Sequence, residues 1–354
     1  MKILLTADLH IGSALSSLPP EKAKERRGEL ISTFCRICSY AEESGAAAVI
    51  IAGDLFDTGR VPRKTVRYVT DEISSHPSVA FYYLTGNHDD AYKESSDIPA
   101  NLYTFGRDWS YFRIGNVIIA GRNEVESSMY GSLALDPEDF NVVVLHGQES
   151  SSRTLSEGVI SYPLLAGKNV DLLALGHLHY YHGAVIDPRG RAVYPGCPEG
   201  RGFDECGEKG FVLIDTEKPA GENTVFVPYA LRVMREIRVT LDREDLTLTD
   251  IEKKVNASLK GIPGSDMVKL IFEGEVSPDC EKDISFIESR LSERFFYAKC
   301  KDCTGLYVDP DRYKNDPSLK GELMRTLADT VSDPELLRDA ALTALAALRG
   351  EDVE

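Results

Sequence analysis

The sequence predicts an α/β protein in which two packed sheets are flanked by helices, followed by a small α+β unit and a helical C-terminal tail. Strand and helix patterns alternate at the start of the chain, and strand-like runs with few helices follow up to Tyr229. A strand–helix–strand order then returns. Because 354 residues exceed the usual size of one domain, we predict a large domain at 1–231, an α+β capping domain at 232–308 and a helical tail at 309–354.

The large domain opens with a pattern typical of a parallel sheet. Three short apolar runs, each suited to a buried strand, cover Lys2–Ala7, Ala46–Ala52 and Val79–Leu84. A helical pattern at 21–44 separates the first two runs, and a helix at 62–77 precedes the third. Strands that alternate with helices in this way form a parallel sheet covered by helices.

From Tyr111 onward, strand-like runs predict a second, mixed or antiparallel sheet packed on the first. These runs lie at 111–120, 141–145, 171–175, 183–186, 192–194, 210–214 and 224–227. The capping domain has the order strand, helix, strand, helix, strand, with helices at 248–259 and 283–292. Leucines at helical spacing between 318 and 348 predict the tail.

Charge and composition exclude several classes of protein. A formal charge of −17 argues against a broad basic surface that would grip nucleic acid by itself. No apolar run reaches membrane-spanning length, and the N-terminal apolar stretch is too short and too soon charged for a signal peptide. We therefore expect a cytoplasmic protein with no membrane partner. The cysteines do not indicate a disulfide scaffold, and we expect Cys35 and Cys38 to face the core rather than to bind zinc.

Five short segments concentrate side chains that bind metals, and five of the seven histidines lie in them. Each segment follows a predicted strand, and loops at the carboxyl ends of parallel strands meet at one crevice. Of the other two histidines, we expect His76 in an exposed loop and His182 at the start of a strand. The five segments are Asp8-Leu9-His10, Gly53-Asp54-Leu55-Phe56-Asp57, Gly86-Asn87-His88-Asp89, His146-Gly147 and Gly176-His177-Leu178-His179.

The ligand types indicate two divalent cations. Carboxylate, imidazole and carboxamide donors without thiolate suit manganese, iron or zinc in a reactive site. Two metals about 3.5–4 Å apart clamp the attacking and leaving oxygens of a displacement, with one bridging carboxylate, for which Asp54 is the candidate. Two carboxylates and two such cations leave a net charge of about +2, which favours a phosphate ester. His88 remains as the general acid, and Asp89 is a candidate to orient it.

These segments resemble the calcineurin-like metallophosphoesterase superfamily, whose pattern is D-x-H, G-D-x-x-D, G-N-H-[DE], H and G-H-x-H. All five blocks are present. The resemblance implies a two-sheet metallophosphoesterase sandwich and two divalent metals, with Mn²⁺ favoured and Fe, Zn or Mg as alternatives. It implies one metal held by Asp8, His10, Asp54 and His179, and another held by Asp54, Asn87, His146 and His177.

Within the superfamily, the sequence is most similar to the DNA-repair exonucleases of the SbcD type. The similarity lies in 7–12, in Gly53–Asp57, in Tyr194–Glu205 and in the small cap. It implies a manganese-dependent nuclease that acts on DNA. It also implies that the region beyond the cap binds a coiled-coil ATPase of the SMC type, and a homodimer is a further expectation.

Two arginines are candidates for contact with substrate phosphate. Arg201 lies in a glycine-flanked loop, and its forked guanidinium suits a phosphodiester. A salt bridge to Asp204 or Glu205 is the alternative. Arg122 follows a strand and is similarly placed. Asp57 is expected to hold the loop of its own segment rather than to bind a metal.

The sequence therefore predicts a hydrolase, a metal-dependent phosphodiesterase that cleaves DNA as an exonuclease or endonuclease in repair, with His88 as general acid. The Tyr194–Glu205 loop and the cap favour this function. The alternative is a phosphodiesterase for a small nucleotide or cyclic-nucleotide substrate, which the acidic composition favours.

Overall fold

The chain folds into two compact units, Met1–Met234 and Arg235–Glu354. The structure is a computed structural model that describes residues 1–57, 61–85, 98–154, 156, 158–277, 280–307 and 313–349. The predicted metal ligand Asn87 and the predicted catalytic residues His88 and Asp89 lie outside the described residues. The three-part division of the chain remains a prediction.

Two mixed sheets form the framework of the first unit. Among the described residues, the first sheet contains β1 (Lys2–Thr6), β2 (Ala48–Ala52), β3 (Ala80–Leu84), β4 (Leu102–Thr104), β13 (Gly210–Asp215) and β14 (Thr224–Pro228), in the order β14-β13-β1-β2-β3-β4. The second contains β5 (Ser110–Ile114), β6 (Val117–Gly121), β7 (Phe140–His146), β10 (Leu172–Gly176), β11 (His182–Val185) and β12 (Arg191–Tyr194), in the order β11-β12-β10-β7-β6-β5. Strands β1 to β4 are parallel to one another, as are β6, β7, β10 and β12. In the first sheet β13 is antiparallel to both of its neighbours, β1 and β14, and in the second sheet the edge strands β5 and β11 are antiparallel to their neighbours.

The predicted α/β architecture with two packed sheets and flanking helices is confirmed. The expectation that the runs at 210–214 and 224–227 belong to the second sheet was wrong: they form β13 and β14, and β13 pairs with β1 of the first sheet. The helices of this unit are α1 (Pro20–Glu43), α2 (Arg63–Ser74), α3 (Met129–Ser132) and α4 (Tyr162–Leu165), and β8 (Gln148–Ser150) pairs with β9 (Val159–Ser161). The prediction of one strand over 111–120 was wrong. Gly115, with φ of +57°, allows a tight turn there, so β5 and β6 form an antiparallel hairpin.

The central strands are buried on both faces, which explains their continuous apolar sequence. In β1, Ile3 and Leu5 contribute to the core between the two sheets, whereas Leu4 packs with Phe34 of α1 in the core outside the first sheet. Successive side chains of a strand point to opposite faces. The residues that follow these strands therefore emerge at one edge of a sheet whose central strands are covered on both faces.

Two expectations about isolated side chains had different outcomes. Cys38 lies in the core as expected, and Cys35 is half-buried. His76, expected in an exposed loop, is buried instead: its Nδ1 lies 2.9 Å from Glu42 and its Nε2 lies 3.2 Å from Glu72. Two helices bring these carboxylates to the imidazole, which the local sequence around His76 does not indicate.

The second unit contains a small sheet and four helices within its described part. Its elements are β15 (Met234–Leu241, which begins at the last residue of the first unit), α5 (Leu248–Ser258), β16 (Met267–Val276), α6 (Ile284–Arg294), β17 (Tyr297–Asp302), β18 (Gly305–Leu306), α7 (Leu319–Thr330) and α8 (Pro334–Arg349). The tail region, expected to be helical over 318–348, thus forms two helices, and the break precedes Pro334, which begins α8. None of the helices in the described ranges is long and apolar enough to span a bilayer.

Candidate metal centre

Five of the predicted metal-binding residues converge at the carboxyl ends of the central strands. Asp8 and His10 follow β1, Asp54 follows β2, His146 ends β7, and His179 follows β10. Within the described residues, two groups of potential ligand atoms lie within 4.8 Å of one another: Asp8 with His10 and His179, and Asp8 with Asp54 and His146. All of these residues except His179 are buried. Two sheets thus deliver carboxylates and imidazoles to one crevice.

The Nε2 atoms of three imidazoles lie near a common centre. His10 Nε2 is 3.3 Å from His179 Nε2. Asp54 Oδ2 is 3.8 Å from His10 Nε2 and 3.4 Å from His146 Nε2. Two tetrahedral ligands that are each about 2.1 Å from a metal lie about 3.4 Å apart. The spacings and the donor types therefore fit divalent cations, with Asp54 between an imidazole of each group.

Strained backbone holds several of these residues. Asp8, His10, Asp54 and His177 have φ of +53°, +45°, +50° and +107°, which places four predicted ligands among the six non-glycine residues with positive φ in the described part of the chain. Side chains other than glycine rarely adopt this conformation, which costs on the order of 1–3 kcal/mol. The packed sheets must offset that cost, and such strain is concentrated at functional sites.

Two glycines leave the space that His146 occupies. A β-carbon on Gly53 would lie 2.1 Å from His146 Nδ1. On Gly176, it would lie 1.9 Å from the carbonyl oxygen of Ala52 and 2.7 Å from the same imidazole nitrogen. The glycines of the second and fifth segments therefore let the two sheets approach closely enough to share one centre.

Each imidazole of the centre has an oxygen atom close to its Nδ1 atom. His146 Nδ1 lies 2.9 Å from the carbonyl oxygen of Ala52, His10 Nδ1 lies 3.2 Å from Asp57, and His179 Nδ1 lies 2.7 Å from Glu205. In His146 and His179 the nearby carbonyl or carboxylate oxygen accepts from Nδ1, which leaves the Nε2 lone pair for a metal. Asp57 thus contacts His10 directly, whereas the sequence had indicated only a role in its own loop.

Arg201 joins the two carboxylates behind this centre. Its Nη2 atom donates to Glu205 at 2.8 Å, and its Nη1 atom donates to Asp57 at 3.2 Å. The salt bridge to Glu205, one of the alternatives from the sequence, is therefore present, while phosphate contact by Arg201 stays a prediction. Glu205 was named in the sequence only as a partner of Arg201. Its contact with His179 had no local signal beyond a carboxylate in the same loop.

A backbone contact links the two sheets at the centre. Asp8 is fully buried and accepts hydrogen bonds from the main-chain N–H of His177, at 3.0 Å to each of its oxygens. The exposed His177 ring lies beside His146, with ring centroids 5.6 Å apart, and is in neither ligand group. The main chain of the fifth segment therefore fixes Asp8, and the His177 ring faces a cleft.

Burial and neighbouring charges set the protonation of the metal-free centre. Burial raises the pKa of Asp8 to about 7. Burial, together with the charge of Arg201, lowers the pKa of His10 to about 3. Burial also acts to lower the pKa of His146, but Asp54 and Asp8 outweigh it and raise this pKa to about 9. Protons therefore compete with a cation for Asp8 and His146.

A cleft of about 760 Å³ extends from the centre along the second sheet. Among the described residues that line it are His146, His177, Gln148 and Arg107. Arg122 is not in the described lining. It is 2% exposed and forms a 2.6 Å ion pair with Glu126. Its predicted contact with substrate would need that pair to rearrange.

The fold and the grouped carboxylates and imidazoles define the class of a metal-dependent phosphoesterase. The family model described as "Calcineurin-like phosphoesterase" matches residues 1–181, and the chain belongs to this family. The fold resemblance stated from the sequence is thus confirmed at the level of the family, whose members use pairs of divalent metals.

The chain is also similar to three curated proteins. It is 26% identical to the uncharacterized metallophosphoesterase YhaO of Bacillus subtilis over 59% of this chain and 55% of that protein. It is 24% identical to the DNA double-strand break repair protein Mre11 of Methanopyrus kandleri over 62% of this chain and 54% of that protein. It is 19% identical to the DNA double-strand break repair protein Mre11 of Sulfolobus acidocaldarius over 73% of this chain and 72% of that protein. The chain thus spans about half the length of the first two relatives.

Proposed function

We propose that this protein hydrolyses phosphodiester bonds of DNA with two divalent cations bound at the candidate metal centre. The observation that carries the proposal is the pair of ligand groups that share Asp8, with Asp54 Oδ2 between His10 and His146. A lone structural ion would need neither two groups nor an exposed imidazole beside them. Mn²⁺ is the favoured metal, and Fe, Zn and Mg are the alternatives.

The residues of the first metal site would be Asp8, His10, Asp54 and His179, and those of the second would be Asp54, Asn87, His146 and His177. Divalent cations there would offset the charge of the phosphate and align the attacking and leaving oxygens. Glu205 and the Ala52 carbonyl bind the Nδ1 atoms of His179 and His146, and Asp57 lies beside that of His10, so that Nε2 of each imidazole would face a bound cation.

His88 is our candidate for the general acid that protonates the leaving oxygen, with Asp89 to orient it. The assignment comes from the sequence: the residue directly follows Asn87, in the segment after β3. The carboxyl end of β3 lies beside that of β2, which carries Asp54. An imidazole there can supply a proton at neutral pH.

The choice of DNA is supported by the relatives named Mre11 and by the Tyr194–Glu205 loop. The formal charge of −17 implies that the protein does not grip DNA over a broad surface by itself. We therefore propose a partner, an ATPase of the SMC type that binds the region beyond the cap. Self-association as a homodimer and a cytoplasmic location complete the proposal.

A small nucleotide or cyclic-nucleotide diester is the second candidate. The cleft beside His177 has a volume of about 760 Å³. That volume lies within the range of about 300–1,000 Å³ that is typical of small-molecule sites.

The deciding experiment offers the purified, Mn²⁺-loaded protein end-labelled duplex DNA, single-stranded DNA and bis(p-nitrophenyl) phosphate in parallel. We expect cleavage of the DNA substrates and of the small diester. The Asp54→Asn variant should lose all of these activities, because it removes the carboxylate that lies between the two groups.

Glu42→Gln is the matched control, since Glu42 also binds an imidazole, that of His76, but on α1 and away from the centre. It should keep full activity. Hydrolysis of the small diester alone would refute the DNA substrate and support the second candidate. DNA cleavage that survives Asp54→Asn would point to a contaminating nuclease and would count against the assignment.

A further inference from the structure

A buried ion pair lies behind the candidate metal centre, between α1 and the loop that carries Arg201. Arg26 is 0% exposed and Glu199 is 1% exposed, and Arg26 Nη2 donates to Glu199 Oε2 at 2.9 Å. The same Nη2 atom donates to the carbonyl oxygen of Gly200 at 2.7 Å. One guanidinium thus holds both a side chain and the main chain of this loop.

Glu199 receives two more hydrogen bonds from distant parts of the chain. Thr33 Oγ1, also on α1, donates to Glu199 Oε1 at 2.7 Å, and the main-chain N–H of Leu231 donates to the same oxygen at 2.6 Å. The partners are separated from Glu199 by 166 and 32 residues along the chain. A single buried carboxylate therefore fixes the loop against a long helix and against the end of the first unit.

The loop at 196–205, which we call the clamp loop, passes from this anchor directly to His179. At its far end, Glu205 binds His179 Nδ1 at 2.7 Å. The main-chain N–H of Arg201 donates to Glu205 Oε2 at 2.8 Å, and this residue is only two positions from Glu199. A β-carbon on Gly196 would lie 2.9 Å from the main chain of Tyr180, so the start of the clamp loop also packs beside His179. The loop is thus fastened to the anchor at Glu199 and to a predicted ligand at Glu205.

The stability of the fold does not by itself explain the buried Arg26–Glu199 ion pair. Desolvation of a buried ion pair offsets much of its attraction, so apolar residues of the same volume often stabilise a fold as well or better. A buried ion pair can instead fix one defined arrangement of the chain, and this role is the hypothesis to test. Here the geometry is that of the clamp loop, whose placement decides where Glu205 meets the imidazole.

We propose that Glu199, held by Arg26 and Thr33, is a positioning residue for the metal centre: through the clamp loop it sets the placement of His179 and thereby the affinity of one of the two metal sites. This inference rests on the proposed metal centre but not on the identity of the substrate. Residues that orient metal ligands change metal affinity by about 10–100-fold when they are replaced.

The test is a titration of metal-free protein with Mn²⁺ by calorimetry, with Co²⁺ absorption in the visible range as a second readout of the ligand geometry. Glu199→Gln should weaken one of the two bound equivalents by about 10-fold or more and leave the other unchanged. The Co²⁺ spectrum should change with it. Thr33→Val removes a single hydrogen bond to Glu199 and should shift the same equivalent in the same direction by less. If Glu199→Gln does not fold, Thr33→Val tests the role of Glu199 in its place.

Asp171→Asn is the matched control for a general loss of stability. Asp171 binds Arg189 through two hydrogen bonds of 2.8 and 2.7 Å, and it precedes β10, at the end of that strand opposite to His177. This variant should lower the thermal stability of the metal-free protein yet keep both metal affinities. Wild-type affinities in Glu199→Gln, or an equal loss of affinity in Asp171→Asn, would overturn the inference.

The outcome also separates this inference from the proposed function. A wild-type protein that binds two equivalents of Mn²⁺ but does not cleave DNA would refute the DNA substrate and leave the role of Glu199 standing. A wild-type protein that binds no metal would overturn both.

Discussion

Glu205→Gln is the substitution that most directly tests how the protein holds His179. Glu205 Oε1 accepts from His179 Nδ1 at 2.7 Å and from Arg201 Nη2 at 2.8 Å, and its Oε2 accepts from the Arg201 main-chain N–H at 2.8 Å. A carboxamide has one oxygen where the carboxylate has two. Whichever way it is turned, an N–H group faces one of these donors, and the negative charge is gone.

The size of the effect follows from these contacts. A hydrogen bond to a charged group contributes about 1.5–3 kcal/mol, and at least one is lost here. Even when the remaining oxygen faces His179, the bond to its Nδ1 loses its charge assistance and about half its strength. We therefore expect Mn²⁺ affinity at one site to fall by about 10–100-fold, which corresponds to about 1.4–2.7 kcal/mol. Calorimetric titration of the metal-free protein measures this directly.

The same variant also tests how the stability of the protein changes with pH. The hydrogen bonds from His179 and Arg201 outweigh burial and hold the pKa of Glu205 well below its usual range. A carboxylate with a depressed pKa stabilises the fold above the unfolded-state pKa, and this contribution is lost as the pH falls. The difference in unfolding free energy between wild type and Glu205→Gln should therefore be full at pH 7 and shrink below about pH 4. Wild-type metal affinity in Glu205→Gln would refute the argument that Glu205 positions His179. Glu42→Gln is the control, because Glu42 binds the imidazole of His76, away from the centre.

Three further predictions concern the centre itself. Because the pKa of Asp8 is raised to about 7 and that of His146 to about 9, protons compete with the cation, and Mn²⁺ affinity should rise with pH between about 6 and 9. A flat profile over that range would contradict this protonation scheme. Gly176→Ala should lower the free energy of unfolding of the metal-free protein, measured by urea denaturation, by about 1–3 kcal/mol or more. The reason is that the new β-carbon would lie 1.9 Å from the Ala52 carbonyl oxygen. Gly131→Ala is the control and should cause no such loss, because the space around Gly131 is open. His88→Asn should keep both metals and lose turnover by about 10²–10⁴-fold. Loss of bound metal, measured by elemental analysis, would show that His88 is a ligand rather than the acid.

The sequence was sufficient to indicate the α/β fold and the convergence of the ligand segments. Both depend on local patterns: short apolar runs predict buried strands, and polar residues directly after parallel strands emerge at the same edge. Asp8, Asp54 and His146 follow or end such strands and lie in one group. The hairpin at Gly115 was missed although Gly115-Asn116 is a turn signal between two strand-like runs, because both runs were assigned to a single strand.

What the tertiary structure alone decided is how these ligands are held. From the sequence, Asp57 was expected to hold its own loop, and Arg201 was expected either to contact substrate or to form a salt bridge. In the fold, Asp57 lies 3.2 Å from His10 Nδ1, and Arg201 donates hydrogen bonds to both Asp57 and Glu205. The Arg26–Glu199 pair joins residues 173 positions apart, so no periodicity or spacing could reveal it. Local sequence determines which side chains a strand end presents. The contacts around them form only when packed sheets and helices bring remote segments together.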